Sequence, residues 1–462
     1  MRKTVVTLVI FAALVALGPS IPGLHGFSAL RTAQFASVLD FRPLSSPLPP
    51  EKSVATTRSP IEKPATPPLK NSPPPSVPFL FDQTGALTHF YQALARTEAK
   101  APGAITRILH YGDSPVTADS ITADARALFQ QRFGDAGHGF VLIAKPWAWY
   151  GHRGVELRGR GWKIEPATQD RAHDLIHGLG GVSFRGEPGA SSHIRLPDDQ
   201  STSAEVDFLY QPGGGTFTLS SEGRILGTTP TDGPEKKPGF AQFDLPPGTR
   251  DLDLSVTSGQ VRLFGWSFEK KGPGVIYHSL GLNGGQVQMT LRYFDPKQWA
   301  IQLQHQRPDL VVINYGTNES VFPTYIEKQY PGELRKLIER VHGDLPGVSV
   351  LIMSPMDRGE RDSSGDIVTV PILPRIVEIQ QQTAAETGCA FFNTFQAMGG
   401  AGTMAKWYAA QPRLVSADFM HPLPAGAAKV GTLLEHSLVE GYDQFEAHQP
   451  HPSLASTAGK AH

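Results

Sequence analysis

The chain has 462 residues, with 42 Lys and Arg against 43 Asp and Glu and a formal net charge of −1. This length predicts more than one structural unit. A charge near zero provides no overall positive field to attract a nucleic acid, so we expect no nucleic-acid partner. The single cysteine, Cys389, excludes an intrachain disulfide framework and a cysteine-rich metal site, and we expect it to be a buried apolar residue.

The first residues have the features of an export signal. Arg2 and Lys3 precede an apolar run from Val5 to Leu17, which is shorter than the roughly 20 residues that span a bilayer. We therefore predict that residues 1–29 are a signal peptide or an N-terminal anchor, and that the protein is exported to the periplasm or cell envelope. Contact with a membrane is expected only through this segment, if it is not cleaved.

Residues 30–78 form a predicted linker. The part between Pro43 and Pro78 holds 12 of the chain's 40 prolines, a composition that favours extended chain and buries little apolar surface. We interpret it as a spacer between a membrane and a folded body, or equally as a disordered tail. At the other end of the chain, residues 446–462 are predicted to be a flexible tail.

Apolar strands alternate with helices in two segments, 79–151 and 273–445. The predicted strands are Ile105–His110, Val275–Leu280, Leu310–Asn314, Val348–Met353 and Ala390–Asn393. The predicted helices are one with Ile121, Ala125, Leu128 and Phe129 on one face, and others at about 286–305, 324–343, 371–387 and 423–440. This alternation favours an α/β fold with a parallel sheet covered on both faces.

Residues 152–272 have a different pattern. Short alternating runs such as Ala204–Tyr210, Thr216–Ser220 and Val261–Phe268 are separated by clusters of Gly, Pro and Asp. Such runs are typical of a β-sandwich of antiparallel strands. Because strand–helix units lie on both sides, we predict that the sandwich is inserted into the α/β domain.

No metal or cofactor is expected. The acidic residues Asp198, Asp199, Asp251 and Asp253 could contribute to a Ca²⁺ site in the sandwich. Acidic pairs in loops are more often solvated turns, so we assign no metal to them. Trp266, in the same segment, is expected to belong to the core.

Four polar motifs follow predicted strands or precede the last helix. They are Gly112-Asp113-Ser114, Leu282-Asn283-Gly284-Gly285, Asn314-Tyr315-Gly316-Thr317-Asn318 and Ser416-Ala417-Asp418-Phe419-Met420-His421-Pro422. A serine between a strand and a helix lies at the carboxyl edge of the sheet, where open α/β sheets bind ligands. Each motif alone could equally be a turn, but four in this order are much harder to explain as turns.

The chemistry of these motifs is that of nucleophilic catalysis. Asp418, three residues before His421, can fix the tautomer of the imidazole so that its other nitrogen accepts a serine proton. A glycine at position 284 lets the backbone approach a ligand closely. The amide of Asn318 could point at the same place, and paired donors of this kind stabilise an oxyanion.

As an ordered set, the four motifs resemble those of the SGNH (GDSL-type) hydrolases, over about 101–150 and 272–440. The resemblance implies a serine esterase on a three-layer, flavodoxin-like fold. It implies a triad of Ser114, Asp418 and His421 and an oxyanion hole of Ser114, Gly284 and Asn318. The sequence departs from the family pattern at Pro115, where leucine is common, and at Glu319, where aspartate is frequent.

An exported SGNH domain interrupted by a β-sandwich is similar to the bacterial peptidoglycan and polysaccharide O-acetylesterases, whose inserted module resembles a carbohydrate-binding domain. This resemblance implies an O-acetylated glycan as substrate. Trp147, Trp149 and Tyr150 could stack on sugar rings, since an aromatic face matches the apolar face of a pyranose. Alternatively, these rings pack the junction between the sheet and the insert.

Two other functions remain open from the sequence. One is a lipase or acyl-thioesterase that uses the same site on longer acyl chains. The other is a non-catalytic glycan-binding protein in which the site is a relic. The presence of Ser114, Asp418 and His421 together argues against the relic, because a degenerate site has no need to keep all three.

Overall fold

The computed structural model describes residues 79–169 and 171–448. The predicted export signal, the proline-rich linker and residues 449–462 lie outside this range. None of the helices in the described ranges is long and apolar enough to cross a membrane.

The strands fall into three groups along the chain. The first group is β1 (Leu80–Phe81), β2 (Ile105–Gly112) and β3 (Gly137–Leu142). The second group is β4 (Glu156–Arg160), β5 (Lys163–Pro166), β6 (Val182–Gly186), β7 (Ser191–Arg195), β8 (Ser201–Tyr210), β9 (Thr216–Ser221), β10 (Arg224–Pro230), β11 (Lys237–Asp244), β12 (Asp251–Ser258) and β13 (Val261–Lys270). The third group is β14 (Gly274–Gly281), β15 (Leu310–Asn314), β16 (Ser349–Met353), β17 (Gly359–Arg361), β18 (Ile367–Thr369) and β19 (Ala390–Phe392).

The helices lie before the second group of strands and among the third. The first are α1 (Thr88–Glu98), α2 (Ser114–Thr117) and α3 (Ser120–Phe133). The later ones are α4 (Val287–Tyr293), α5 (Pro296–Gln306), α6 (Pro323–Lys328), α7 (Tyr330–Asp344), α8 (Leu373–Glu386), α9 (Thr394–Ala397), α10 (Thr403–Ala409) and α11 (Pro424–His448).

The central sheet has the strand order β1-β19-β16-β15-β2-β14. Its parallel strands therefore follow the 2-1-3-4-5 order of flavodoxin-like folds, while β1 pairs antiparallel with β19 at one edge. Every residue of β14, β15 and β16 is buried, as expected for a parallel sheet covered on both faces. The predicted fold class, α/β with a three-layer parallel sheet, is confirmed.

Alternate residues of the sheet enter separate cores on its two faces. Val312 packs in one core with Phe90 of α1 and Leu434 of α11. Its neighbour Val311 packs in the other core with Leu337 of α7, because successive side chains of a strand point to opposite faces. The sheet is thereby held between two helical layers.

The inserted module is a β-sandwich, as predicted. One sheet has the order β10-β9-β12-β7-β4 and the other β11-β8-β13-β6-β5, with β3 added beside β13. Alternate residues of β9 are buried, and Phe217 of β9 meets Phe208 of β8 across the interior with ring centroids 5.7 Å apart. Trp266 of β13 and Cys389, which precedes β19, are buried as expected.

Three element boundaries differ clearly from the sequence prediction. Strand β3 pairs with β13, so the antiparallel pairing begins before residue 152. The helix predicted at 286–305 is two helices, α4 and α5, because Pro296 lacks the N–H that a continuous helix needs. The Asp295 side chain caps the second one by accepting a hydrogen bond from Gln298 N at 2.9 Å. The last helix continues to His448, three residues beyond the expected end of the domain at 445.

The carboxyl ends of three neighbouring strands are in register. Gly112 of β2 is aligned with Gly281 of β14 and with Asn314 of β15. The short helix α2 then packs directly on the strand ends. A Cβ atom on Gly281 would lie 1.9 Å from Thr117 N, so only glycine permits this approach.

We expect Gly281→Ala to destabilise the protein by about 1–3 kcal/mol or more, because the added methyl meets backbone that cannot move aside. Denaturant unfolding followed by circular dichroism measures the change. The matched control is Gly343→Ala in α7, where no atom lies within 4 Å of the added methyl. This control should raise stability by up to about 1 kcal/mol. Equal effects of the two substitutions would contradict the packing argument.

Candidate active site

Three of the predicted site residues directly follow strands at the carboxyl edge of the central sheet. Ser114 follows β2, Gly284 follows β14 and Asn318 follows β15. Because the ends of these strands are in register, the three loops meet at one edge. Strands β2 and β15 flank the point where the chain order of the sheet reverses, which is where such folds bind ligands.

A cavity of about 390 Å³ opens at this edge, and we call it the Ser114 cavity. It is lined by Ser114, Pro115, Ala118, Ser120, Trp149, Asn283, His421 and Pro422. The predicted nucleophile and the predicted base therefore face the same space. In the described ranges, the side chain of His421 is hydrogen-bonded to Asp418 and not to Ser114. Such catalytic contacts commonly tighten only when substrate binds.

Asp418 and His421 form a tight pair. The His421 ring Nδ1 lies 2.6 Å from Asp418 Oδ2, and the backbone N–H of His421 donates to Asp418 Oδ1 at 3.1 Å. Partial burial opposes ionisation of Asp418, but hydrogen bonds from Ser416 and His421 outweigh it and lower its pKa to about 2. The carboxylate is therefore ionised at neutral pH and fixes the imidazole with Nε2 facing away from it.

Gly284 and Asn318 lie beside the loop of Ser114. Gly284 has a φ of +71°, a conformation that favours glycine, and open space surrounds the position of its missing Cβ. The amide nitrogen of Asn318 donates to Gly285 O at 3.1 Å and lies 3.4 Å from Asp113 Oδ2. Asn318 is thus held between Gly285, which follows Gly284, and Asp113, which precedes Ser114.

Glu319 connects two of these loops, a role that sequence reasoning missed. Its side chain is fully buried and accepts hydrogen bonds from Val287 N at 2.9 Å and from Gly316 N at 3.0 Å. Burial raises the pKa of Glu319 to about 7, and this effect outweighs the two backbone hydrogen bonds, which lower the pKa. The only sequence signal for this role was a glutamate at a position where the family often has aspartate. The glutamate side chain, longer than that of aspartate, bridges the two loops here.

Arg358 supports the same loop from the other side and was also missed. Its guanidinium donates to Ser320 Oγ at 2.7 Å and to Thr317 O at 3.2 Å. It is also close enough to Asp418 to interact with its charge. No local pattern marks this arginine, because its partners lie about 40 residues away in sequence.

The three predicted substrate-binding aromatics separate in the structure. Trp149 is 54% exposed and lines the Ser114 cavity, where its Nε1 donates to Asn283 Oδ1 at 3.1 Å. Trp147 and Tyr150 are buried in the core shared with the β-sandwich, and the Tyr150 hydroxyl accepts from Leu142 N of β3. Only Trp149 is placed where a substrate can reach it, and the other two rings pack the junction.

Three of the four acidic residues considered as Ca²⁺ ligands face basic side chains. The pairs are Asp198 with Lys270 at 2.7 Å, Asp251 with Arg195 at 3.0 Å and Asp253 with His193 at 2.9 Å. These contacts give the carboxylates a structural role at the surface of the sandwich.

Residues 255–429 match the model of the GDSL-like lipase/acylhydrolase family. The match includes Gly284, Asn318, Asp418 and His421, whereas Ser114 lies before it. The matched segment therefore resembles this family, and the Ser114 motif is separated from it in sequence by most of the β-sandwich.

The fold is similar to that of a solved peptidoglycan O-acetylesterase, with a TM-score of 0.69 and 21% sequence identity over 79% of this chain and 99% of the other. An acetyl xylan esterase aligns with 36% of this chain and 80% of its own at 16% identity, with a TM-score of only 0.27. No curated protein matches this sequence.

The family-model match and the shared fold together support a carboxylic ester hydrolase that resembles the SGNH (GDSL-type) enzymes. Its fold is shared with a peptidoglycan O-acetylesterase. The resemblance predicted from the four motifs is confirmed.

The raised pKa of Glu319 predicts a pH-dependent contribution to stability. In the unfolded chain the Glu319 carboxyl has a pKa of 4.5, whereas in the folded protein its pKa is about 7. Between these pH values the folded state therefore retains a proton that the unfolded chain releases. This contribution is therefore fully present below pH 4.5 and is lost as the pH rises through 7. We expect the unfolding free energy of the wild type, minus that of Glu319→Gln, to fall by about 3 kcal/mol between pH 4 and pH 8.

Urea unfolding of both proteins at a series of pH values measures this difference. Subtracting the variant removes the contributions of all other titrating groups that the two proteins share. A difference that stays constant with pH would contradict the assignment of a raised pKa to Glu319.

Proposed function

We propose that this protein is an exported serine esterase that removes O-acetyl groups from a cell-wall or extracellular polysaccharide. The observation that carries the proposal is that Ser114 and His421 line one cavity while the imidazole is held by Asp418. The apolar run after Arg2 and Lys3 supports export.

In this mechanism Ser114 Oγ attacks the carbonyl carbon of the acetyl ester, and His421 Nε2 accepts the serine proton. Asp418 stabilises the imidazolium through Nδ1. When the tetrahedral intermediate collapses, His421 gives the proton to the departing sugar oxygen and an acetyl-enzyme remains. Water, deprotonated by His421, then attacks the acetyl group, and acetate leaves with Ser114 restored.

The negative charge of the intermediate is stabilised by the backbone N–H groups of Ser114 and Gly284 and by the amide of Asn318. Ser114 is the first residue of α2, and the first N–H groups of a helix have no acceptor within it. The Asn318 amide donates to Gly285 O at 3.1 Å and, over a longer 3.4 Å contact, to Asp113 Oδ2. In this mechanism the second N–H exchanges Asp113 for the oxyanion.

Two features support a glycan as the substrate. The ring of Trp149 is exposed at the Ser114 cavity and is held by its bond to Asn283, so it offers a fixed flat surface to a sugar. The solved structure that shares the fold is called a peptidoglycan O-acetylesterase. Carbohydrate binding by the β-sandwich is part of the same proposal.

We expect Ser114→Ala to lower kcat/KM for 4-nitrophenyl acetate by more than about 10³-fold, because the nucleophile is lost. Asn318→Ala should lower it by about 10²–10³-fold through the oxyanion. The matched control is Ser120→Ala, which removes the other hydroxyl that lines the cavity and should retain activity within a few-fold of wild type.

A wild-type rate for Ser114→Ala, or loss of activity in Ser120→Ala alone, would overturn the assignment of the nucleophile. A series of esters of increasing acyl length tests the acyl group. Faster hydrolysis of octanoyl than of acetyl esters would replace the O-acetylesterase by a lipase or thioesterase.

We expect Trp149→Ala to raise KM for O-acetylated glycan by several-fold to about tenfold with little change in kcat, because stacking binds ground and transition states alike. Trp149→Phe should restore most of the affinity, since it keeps an aromatic face. Acetate release from O-acetylated peptidoglycan gives both constants. A fall in kcat with unchanged KM would contradict a stacking role.

A further inference from the structure

A second cavity of about 550 Å³ adjoins the Ser114 cavity and shares Ala118, Ser120 and Pro422 with it. We call it the outer groove and define it by Ser120, Asp124, Arg153, Pro424 and Ala428, which belong to its lining. Each cavity alone falls within the roughly 300–1,000 Å³ of ordinary small-molecule sites. Together they form an elongated depression with the reacting serine at one end.

The floor of the outer groove is rigid. Arg153 donates two hydrogen bonds to the Asp124 carboxylate, at 2.6 and 2.8 Å, and its backbone N–H donates to Asp119 Oδ2 at 2.8 Å. Asp119 is itself buried in an ion pair with Arg126. A surface fixed in this way loses little conformational entropy when a ligand binds.

The groove presents hydroxyl-binding groups without a net charge. The Arg153 side chain is 49% exposed, and its pairing with Asp124 leaves guanidinium N–H donors and carboxylate lone pairs unused. Since the two charges cancel, the pair favours a neutral polyol over an anion. Pro422, Pro424 and Ala428 supply an apolar wall that suits the C–H face of a sugar ring.

We propose that the outer groove binds the sugar units next to the acetylated unit of a polymeric glycan, which makes the enzyme selective for chains over single sugars. This inference rests on the proposed function, because it needs a glycan at Ser114. Contacts far from the reacting carbonyl supply binding energy that a truncated substrate lacks.

The test is acetate release by the full-length protein from chemically O-acetylated chito-oligosaccharides of one, three and five sugar units. We expect kcat/KM of the wild type to rise by about tenfold or more from one unit to five. Ala428→Tyr, which fills the groove with a ring, should reduce this rise to about threefold or less. Its kcat/KM for 4-nitrophenyl acetate should stay within twofold of wild type.

Two further variants sharpen the test. Arg153→Gln removes the guanidinium fork and should also flatten the length dependence, which guards against a folding defect in Ala428→Tyr. His436→Tyr adds the same ring to an exposed position of α11 that is outside the groove lining and should behave as wild type.

The failures of the two proposals differ. No rise with chain length in the wild type, or a rise that survives both groove variants, overturns the outer groove as a subsite while leaving an O-acetylesterase. A rise that disappears equally in His436→Tyr also overturns it. Hydrolysis of 4-nitrophenyl acetate without acetate release from any glycan overturns the proposed function and the subsite with it.

Discussion

The site depends on the absence of side chains at the ends of two neighbouring strands. Gly112 and Gly281 are in register, and a Cβ on either would collide with α2, which begins at Ser114. Helix α2 can pack on the edge of the sheet only because neither residue has a side chain. Ser114, the first residue of α2, then lines the cavity.

Three carboxylates near this edge differ sharply in their surroundings. Asp418 is partly exposed and receives several hydrogen bonds, so its pKa falls to about 2. Burial raises the pKa of Asp113 to about 6 and that of Glu319 to about 7. Near neutral pH Asp418, which pairs with His421, is therefore fully ionised. Asp113 and Glu319 instead titrate close to neutrality, because burial disfavours their charged forms.

The candidate site was accessible from the sequence because its signals are local. Three of the parallel strands, β2, β14 and β15, are short apolar runs that are each followed by a polar motif, and the fourth motif precedes the last helix. Leu310–Asn314 was predicted with the bounds observed. The contacts of Glu319 and Arg358 were not accessible, since they depend on which loops the fold brings together.

The aromatic segment after β3 illustrates the same limit. Trp147, Trp149 and Tyr150 are close in sequence. Because all three are aromatic, residue type alone does not predict which of the rings are buried in the core. The direction of each ring is set by the pairing of β3 with β13, about 125 positions further on. That long-range pairing buries two of the rings and leaves one at the cavity.

The position of β3 also bears on how the two parts of the molecule could be separated. Strand β3 hydrogen-bonds to β13 of the sandwich, while Phe140 N donates to His278 in β14 of the central sheet. Cutting the chain at residues 152 and 272 would strip β3 of its partner and loosen the support of Trp149. The sandwich therefore cannot be replaced by another module through cuts at these two positions alone. A chimaera that keeps a working site would have to transfer residues 137–151 together with the sandwich.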